Sequence, residues 1–301
     1  MRLVTCKHQQ HTYLGIVRGD FVIIPALANQ ARFGAYDTIL RLIEAGREAY
    51  EILQELVAGT NKHLGVKVDQ VELLAPIPRP RKNIMCLGWN YADHAEESAQ
   101  AFKRNAKLPD HPVVFTKAVT SVNGPFADFV LDTALSNEID WEVELGVVIG
   151  RKGRKIPPHE ALKHVFGYTV INDISARDMQ TRHRQFFLGK SLDGSCPMGP
   201  WIVTQDEVPD PQRLALRSWV NGELKQNSNT RFQIFDVATI ISTLSQGMVL
   251  EPGDVIATGT PSGVGFARTP PEFLKPGDVV ECEIESIGRI RNKVVASPEL
   301  R

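Results

Sequence analysis

The chain has 301 residues, 43% of them hydrophobic and 23% charged, and 34 basic against 35 acidic side chains leave a formal net charge of −1. That is enough apolar chain to build one large globular domain or two ordinary ones, which excludes a disordered protein. A near-zero charge balance without a long basic run gives no electrostatic footprint for nucleic acid or an anionic membrane.

The first residues lack the charged-then-apolar pattern of a secretion signal, and no apolar run approaches the roughly 18 residues of a membrane span, so the sequence predicts a cytoplasmic protein. Residues 1–24 read as a hairpin turning at Arg18-Gly19-Asp20. From Asp37, a good N-cap, Ile39, Leu40, Ile43, Ala49, Ile52, Leu53 and Leu56 follow helical spacing, with Gly46 breaking the run into two helices. Pro76, Pro78 and Pro80 favour an extended connection that cannot join a sheet centrally. The boundary is therefore placed there, with a small α+β domain over 1–75 and the chemically interesting domain over 76–301. Cys6, Cys86, Cys196 and Cys282 are far apart and form no C-x-x-C pair. They read as reduced packing thiols rather than a zinc ribbon or redox motif.

Beyond residue 80, short β-type runs at 140–149, 166–172, 201–204, 216–220, 255–258 and 279–284 are separated by Gly, Pro and Asp turns. Regular βαβ alternation is absent, so the expected class is mainly β (α+β), a mixed β-roll or sandwich rather than a doubly wound sheet.

Three stretches carry candidate chemistry. On the strand at 139–149, the period of two places Asp140, Glu142 and Glu144 on one face. Side-by-side carboxylates repel, and hard oxygen ligands without clustered His or Cys point to Mg²⁺ or Mn²⁺ rather than zinc. The bland alternative is a solvated face, and Glu281-Cys-Glu-Ile-Glu285 shows the same alternation. The run at 166–172 ends in Asn172-Asp173. If a helix starts there, Asp173, Arg177 and Gln180 share one face; otherwise Asp173 is a cap and pairs with Arg177 on the surface.

In the stretch from Asn90 to Glu97, Asn90 could cap a short helix on which His94 and Glu97 are i, i+3 neighbours. A carboxylate beside an imidazole raises its basicity and fixes its tautomer, as a base working near neutral pH requires, whereas an exposed His on a polar helix is usually inert. The loops around Gly189-Lys190 and Gly259-Thr260 offer backbone donors but match neither common nucleotide-binding loop. No serine-hydrolase elbow or zincin motif is present.

Taken together and in order, G-W-N-Y-A-D-H-A-E-E, F-T-K, D-W-E-V-E-L-G-V-V-I-G, G-Y-T-V-I-N-D-I-S-A-R-D-M-Q, G-K-S-L-D, C-P-M-G-P-W, V-N-G-E, L-E-P-G-D-V-I-A-T-G-T-P-S-G-V-G and L-K-P-G-D resemble the fumarylacetoacetate hydrolase family over residues 72–301. The acylpyruvase and oxaloacetate decarboxylase branch is the nearest likeness. The resemblance implies a β-sandwich roll, a homodimer, and a Mg²⁺ or Mn²⁺ held by Glu142, Glu144 and Asp173. It also implies His94 and Glu97 on a mobile lid, a catalytic Lys190, and Lys117, Arg177, Gln180 and Thr260 around a small 2-oxo acid substrate.

The reaction expected from it is cleavage of a C–C bond in an acylpyruvate or fumarylpyruvate through a pyruvate enolate. Oxaloacetate decarboxylation, isomerisation or decarboxylation of a dienedioate in aromatic degradation, and a non-catalytic scaffold are the alternatives. Two positions depart from the pattern: Trp89 stands where relatives carry Arg or Lys, and Gln233 where Met is common.

Overall fold

The strand Val143–Ile149 is buried along its whole length, and the fold is arranged to cover both its faces. Val143, Leu145, Val147 and Ile149 enter one apolar core and Val148 enters another, as the period of two requires. The computed structural model describes residues 1–59, 65–101 and 108–298.

Among them, the long mixed sheet runs Val66–Lys67, Phe21–Ile23, His11–Arg18, Arg2–His8, Cys196–Thr204, Val165–Asn172, Val143–Ile149, Val255–Ala257, Ile84–Gly88, Val113–Lys117. A five-stranded sheet, Glu223–Asn229, Ala215–Val220, Val279–Ile284, Gly288–Ala296 and Phe129–Leu131, packs across its middle. Leu216, Ile284 and Ile290 there meet the Val143 face, and the helix Val237–Ser245 adds Ile240, Ile241 and Leu244 to the same core. On the opposite face Ile39, Leu42, Ile43 and Leu53 cover Val148, Ile171 and Ile202. This is the mainly β, α+β roll that the sequence predicts.

The proline run does not separate one core from another. Arg2 and Leu3 pair with Val203 and Ile202, so the N-terminal strands continue the sheet of the later residues, and both helices after Thr38 pack on it. The turn at Gly19 (φ +61°) forms as expected, but a second precedes it at Gln9 and Gln10, both left-handed at φ 46° and 68°. Gln-Gln carries none of the usual Asn or Gly signal for such a turn, so the strand Arg2–His8 was not separated from the next by sequence. Gly46 (φ +80°) does divide Ile39–Ala45 from Arg47–Gly59, although the cap is Thr38, whose Oγ1 accepts from Arg41 N at 3.2 Å, and not Asp37. Asp37 pairs with the Arg41 guanidinium instead. All four cysteines are buried and free, and burial pushes the Cys6 and Cys196 thiols up to about 12.

Two local corrections bear on the site. The strand expected over 139–149 is interrupted into Ile139–Asp140 and Val143–Ile149. Trp141 N donates to Asp140 Oδ1 and Glu142 N to Asn172 Oδ1, so side chains take the donors a ladder would use. The helix expected from Asp173 begins only at Arg177, because Ser175–Ala176 first pairs with Ile139–Asp140. Arg177 consequently turns toward Asp140 and Glu142 rather than Asp173.

Candidate functional site

Two neighbouring strands deliver the acidic centre. Glu142 and Glu144 lead into and lie on Val143–Ile149, and Asp173 follows the end of Val165–Asn172, its antiparallel partner. All three are buried, each offering an oxygen within 4.8 Å of the others. The cations around them are equally ordered. Lys190 Nζ donates to Glu142 Oε2 at 2.7 Å and Asp173 Oδ2 at 2.9 Å. Arg177 bridges Glu142 and Asp140, with its Nε 2.9 Å from Asp140 Oδ2, and it lies 4.4 Å over the Phe266 ring.

Asp140 is the outer support of this group, accepting from Gly265 N at 2.6 Å and Phe266 N at 3.1 Å. A Cβ on Gly265 would lie 2.8 Å from Asp140 Oδ1 and 2.1 Å from Glu272 O, so only glycine allows that approach.

Burial works to raise the Glu142 carboxyl, but Lys190, Arg177 and His94 hold it down at about 2. Glu144 goes the other way: burial first, then Asp173 and Glu142, push it well above the usual carboxylate range. Lys190 and Arg177 stay charged, since the surrounding carboxylates outweigh the effect of burial.

Whether a divalent cation fits is decided by this donor set. Asp140, Glu142, Glu144 and Asp173 face Lys117, Lys190 and Arg177, which leaves one carboxylate charge uncompensated. The costly charge is that of Glu144, whose hydrogen bond among the described residues comes from Gly259 N. A hard cation with oxygen ligands would relieve it, and Glu142, Glu144 and Asp173 are the residues that would hold it.

His94 lines the same cleft of about 320 Å³. Its Nδ1 lies 2.8 Å from Glu97 Oε1 on the helix Ala92–Ala101. An ionised carboxylate only accepts, so in the neutral form of the ring Nδ1 is the donor and Nε2 the acceptor. Glu97 also accepts from Gly263 N at 3.0 Å, and Ser262 Oγ donates to Asp93 Oδ2 at 2.7 Å, fastening this helix to the glycine loop. Asn90 does not cap the helix. Its side chain donates to Phe235 O and Thr258 O and accepts from Phe235 N, tying the entry of the helix to two distant segments.

Arg177, Gln180, Lys190 and Thr260 line the cleft with His94 and Glu142. Thr260 Oγ1 donates to Val143 O and accepts from Gln226 Nε2. Lys117 is placed differently from the expectation that it meets a substrate. It is fully buried behind Asp173, donating to Asp173 Oδ1 at 2.7 Å and Ile174 O at 3.0 Å. Gln233 bonds Thr258 Oγ1 and Gln212 and is absent from the lining, whereas Trp89 (φ 52°) and Phe186 meet edge to face at the cleft wall.

Sequence reasoning missed Gln226. Buried on Glu223–Asn229, it accepts from Val143 N and Ser218 Oγ while donating to Thr260 and Pro261 O, and so couples the two sheets at the site. Its neighbours along that strand are polar as well, and no signal sets it apart.

A β-roll whose central strands end in a buried carboxylate triad, beneath a His–Glu pair, is the architecture of fumarylacetoacetate hydrolases. The chain belongs to this family: the profile of the Fumarylacetoacetate (FAA) hydrolase C-terminal region matches residues 83–295. It is 41% identical to Oxaloacetate tautomerase YisK of Bacillus subtilis, over 98% of this chain and 100% of that protein.

Among solved structures it is similar to fumarylacetoacetate hydrolase from Exiguobacterium antarcticum, with a TM-score of 0.83, 40% identity, and coverage of 99% of this chain and 100% of that one. The maleylpyruvate hydrolase from Sphingobium sp. SYK-6, solved in complex with manganese(II) and pyruvate, gives a TM-score of 0.79 at 30% identity and the same coverage.

Proposed function

We propose that the protein is a divalent-metal-dependent enzyme that interconverts the keto and enol forms of oxaloacetate or a closely similar 2-oxo acid. The observation that carries this reading is the placement of one imidazole: His94 lines the acidic cleft together with Glu142 and Lys190, and its Nδ1 is engaged by Glu97 at 2.8 Å. The whole-length likeness to an oxaloacetate tautomerase supports it.

A Mg²⁺ or Mn²⁺ held by Glu142, Glu144 and Asp173 would supply Lewis-acid polarisation of the substrate carbonyl. His94 takes a proton from the carbon beside that carbonyl. The C–H electron pair becomes the carbon–carbon double bond, the carbonyl π pair moves onto oxygen, and the proton that His94 has taken, passed on to that oxygen, completes the enol and restores the base. Lys190, held charged between two carboxylates, supplies a fixed positive charge at the cleft wall and is unsuited to be the base. Lys117 acts on this reading as a positioning residue for Asp173.

A second reading is hydrolysis of an acylpyruvate-type acid, favoured by the likeness to the manganese- and pyruvate-bound maleylpyruvate hydrolase. His94 would then take its proton from water as the water attacks the distal carbonyl. The bond between that carbonyl and the pyruvate fragment would break, leaving its electron pair on a pyruvate enolate. The expected assembly is a homodimer, which light scattering on the eluting protein tests.

The deciding experiment follows the ultraviolet absorbance of enol-oxaloacetate with purified protein and Mn²⁺, with pyruvate measured in parallel from oxaloacetate and acetylpyruvate. Enol loss accelerated by the protein without pyruvate supports tautomerisation. Pyruvate from oxaloacetate would replace it with decarboxylation, and pyruvate from acetylpyruvate would replace it with hydrolysis.

A further inference from the structure

Two residues lining the cleft have no role in the acidic centre. Ser98 lies one helical turn beyond His94 on the same face of Ala92–Ala101. It is 1% exposed, yet its Oγ has no hydrogen-bond partner among the described residues. A buried hydroxyl without a partner bears a desolvation cost that a bound acceptor would remove.

Arg184 follows the helix Arg177–Arg182 in a left-handed conformation (φ 60°). Its backbone N–H turns back to Thr181 O, and its side chain lines the cleft. Among the described residues no carboxylate or carbonyl engages its guanidinium, in contrast to Arg177 and Lys190, which are committed to Asp140, Glu142 and Asp173.

We infer that Ser98 and Arg184 form a second anion subsite in the cleft, taking the distal carboxylate of a 2-oxo dicarboxylic acid; this rests on the oxo-acid reading above. A guanidinium offers paired N–H donors matched to the two oxygens of a carboxylate, and the serine hydroxyl offers a third. The acidic centre takes the oxo-acid end, so the subsite selects acids carrying negative charge at both ends. Oxaloacetate has such a second carboxylate, whereas pyruvate and acetylpyruvate do not.

The test uses the Mn²⁺-loaded protein and two probes: pyruvate, and a difluoro analogue of oxaloacetate with no proton to lose beside its carbonyl. Titration calorimetry is expected to show Arg184→Gln weakening the analogue by about tenfold or more and Ser98→Ala by about threefold to tenfold, with pyruvate changing by less than about twofold. Arg184→Lys should recover some of the loss. The Ser98→Ala melting temperature should stay level or rise, because the lost hydroxyl had no partner, which separates a binding loss from a folding loss.

Equal weakening of both probes, or of neither, overturns the subsite. So does a wild type that holds the analogue no more tightly than pyruvate. If neither probe binds the wild type, it is the oxo-acid reading that fails.

Discussion

Replacing Glu144 by Gln should raise stability in chelator and abolish the stabilisation that Mn²⁺ confers. Glu144 is 1% exposed, and its burial together with Asp173 and Glu142 lifts its carboxyl well above the usual range, against the partial opposition of Lys190 and Gly259 N. A folded-state value above the unfolded one means that the folded protein binds the proton more tightly. In chelator, this contribution to wild-type stability is full below the unfolded value of about 4.3 and is lost as pH rises through the raised value.

Gln has no charge to desolvate and still presents an oxygen to Gly259 N, which lies 2.8 Å from the native carboxylate. In EDTA near pH 7.5, Glu144→Gln should therefore melt above the wild type. An ion present at a hundred times its Kd stabilises by about 2.7 kcal/mol. For a chain of this length the unfolding entropy is about 0.6 kcal/mol per kelvin, so wild-type Tm should climb by about 4 °C while the variant gains less than about 1 °C. Scanning calorimetry with and without Mn²⁺ measures all four values. A variant that melts below the wild type in EDTA and still gains the full 4 °C with Mn²⁺ refutes the assignment of Glu144 as a ligand.

Other outcomes follow from the same geometry. His94→Gln should lower turnover by about 10² to 10⁴, and Glu97→Gln by less, because the imidazole is still present; a steady-state assay ranks them. Lys117→Met leaves the buried Asp173 with Lys190 as its remaining cation and should cost at most the roughly 3–5 kcal/mol of a broken buried pair, a Tm fall of up to about 5–8 °C that scanning calorimetry can check. Gly189→Ala puts a Cβ 2.6 Å from Ala176 O and 2.7 Å from Gln180 N, so the segment bearing Lys190 must shift; Mn²⁺ affinity by calorimetry should drop with it. Because Glu142 is held at about 2, its stabilisation is present above the unfolded value of about 4.3 and disappears as pH falls through 2; acid unfolding of Glu142→Gln should lack that component of the transition.

Alternation grouped Asp140 with Glu142 and Glu144 and left Asp173 open as a helix cap, so the set Glu142, Glu144 and Asp173 was legible only through the order of motifs that resembles the family. The look-alike strand shows what alternation alone cannot supply. Glu281 and Glu283 repeat the pattern, yet both meet the Arg289 guanidinium on a strand that is half outward-facing, so no cation is called for. What separates the two is burial, a property of the whole packing.

Asp140 shows a different limit. Its placement on the acidic face was readable, but its task of holding Arg177 and the Gly265 loop depends on contacts across 37 and 125 residues. Lys117 shows a third: F-T-K marks the residue, while only the pairing of Val113–Lys117 beside Ile84–Gly88 turns its ammonium inward to Asp173. The choice among tautomerisation, decarboxylation and C–C hydrolysis is not in these residues at all, because each reaction passes through an enolate that the same side chains can stabilise.

The strand Arg2–His8 has a divided outer edge. Thr5, Cys6 and Lys7 pair with Glu72–Leu74, but Arg2 and Leu3 pair with Ile202 and Val203. During synthesis at about 5–20 residues per second, the roughly 200 intervening residues take about 10–40 s to appear. An open strand edge through that interval invites pairing with other chains. The early partner at 72–74 shields Thr5, Cys6 and Lys7 soon after the ribosome has passed it, so Arg2 and Leu3 wait for their partners until the strand that adjoins the acidic centre's own is made.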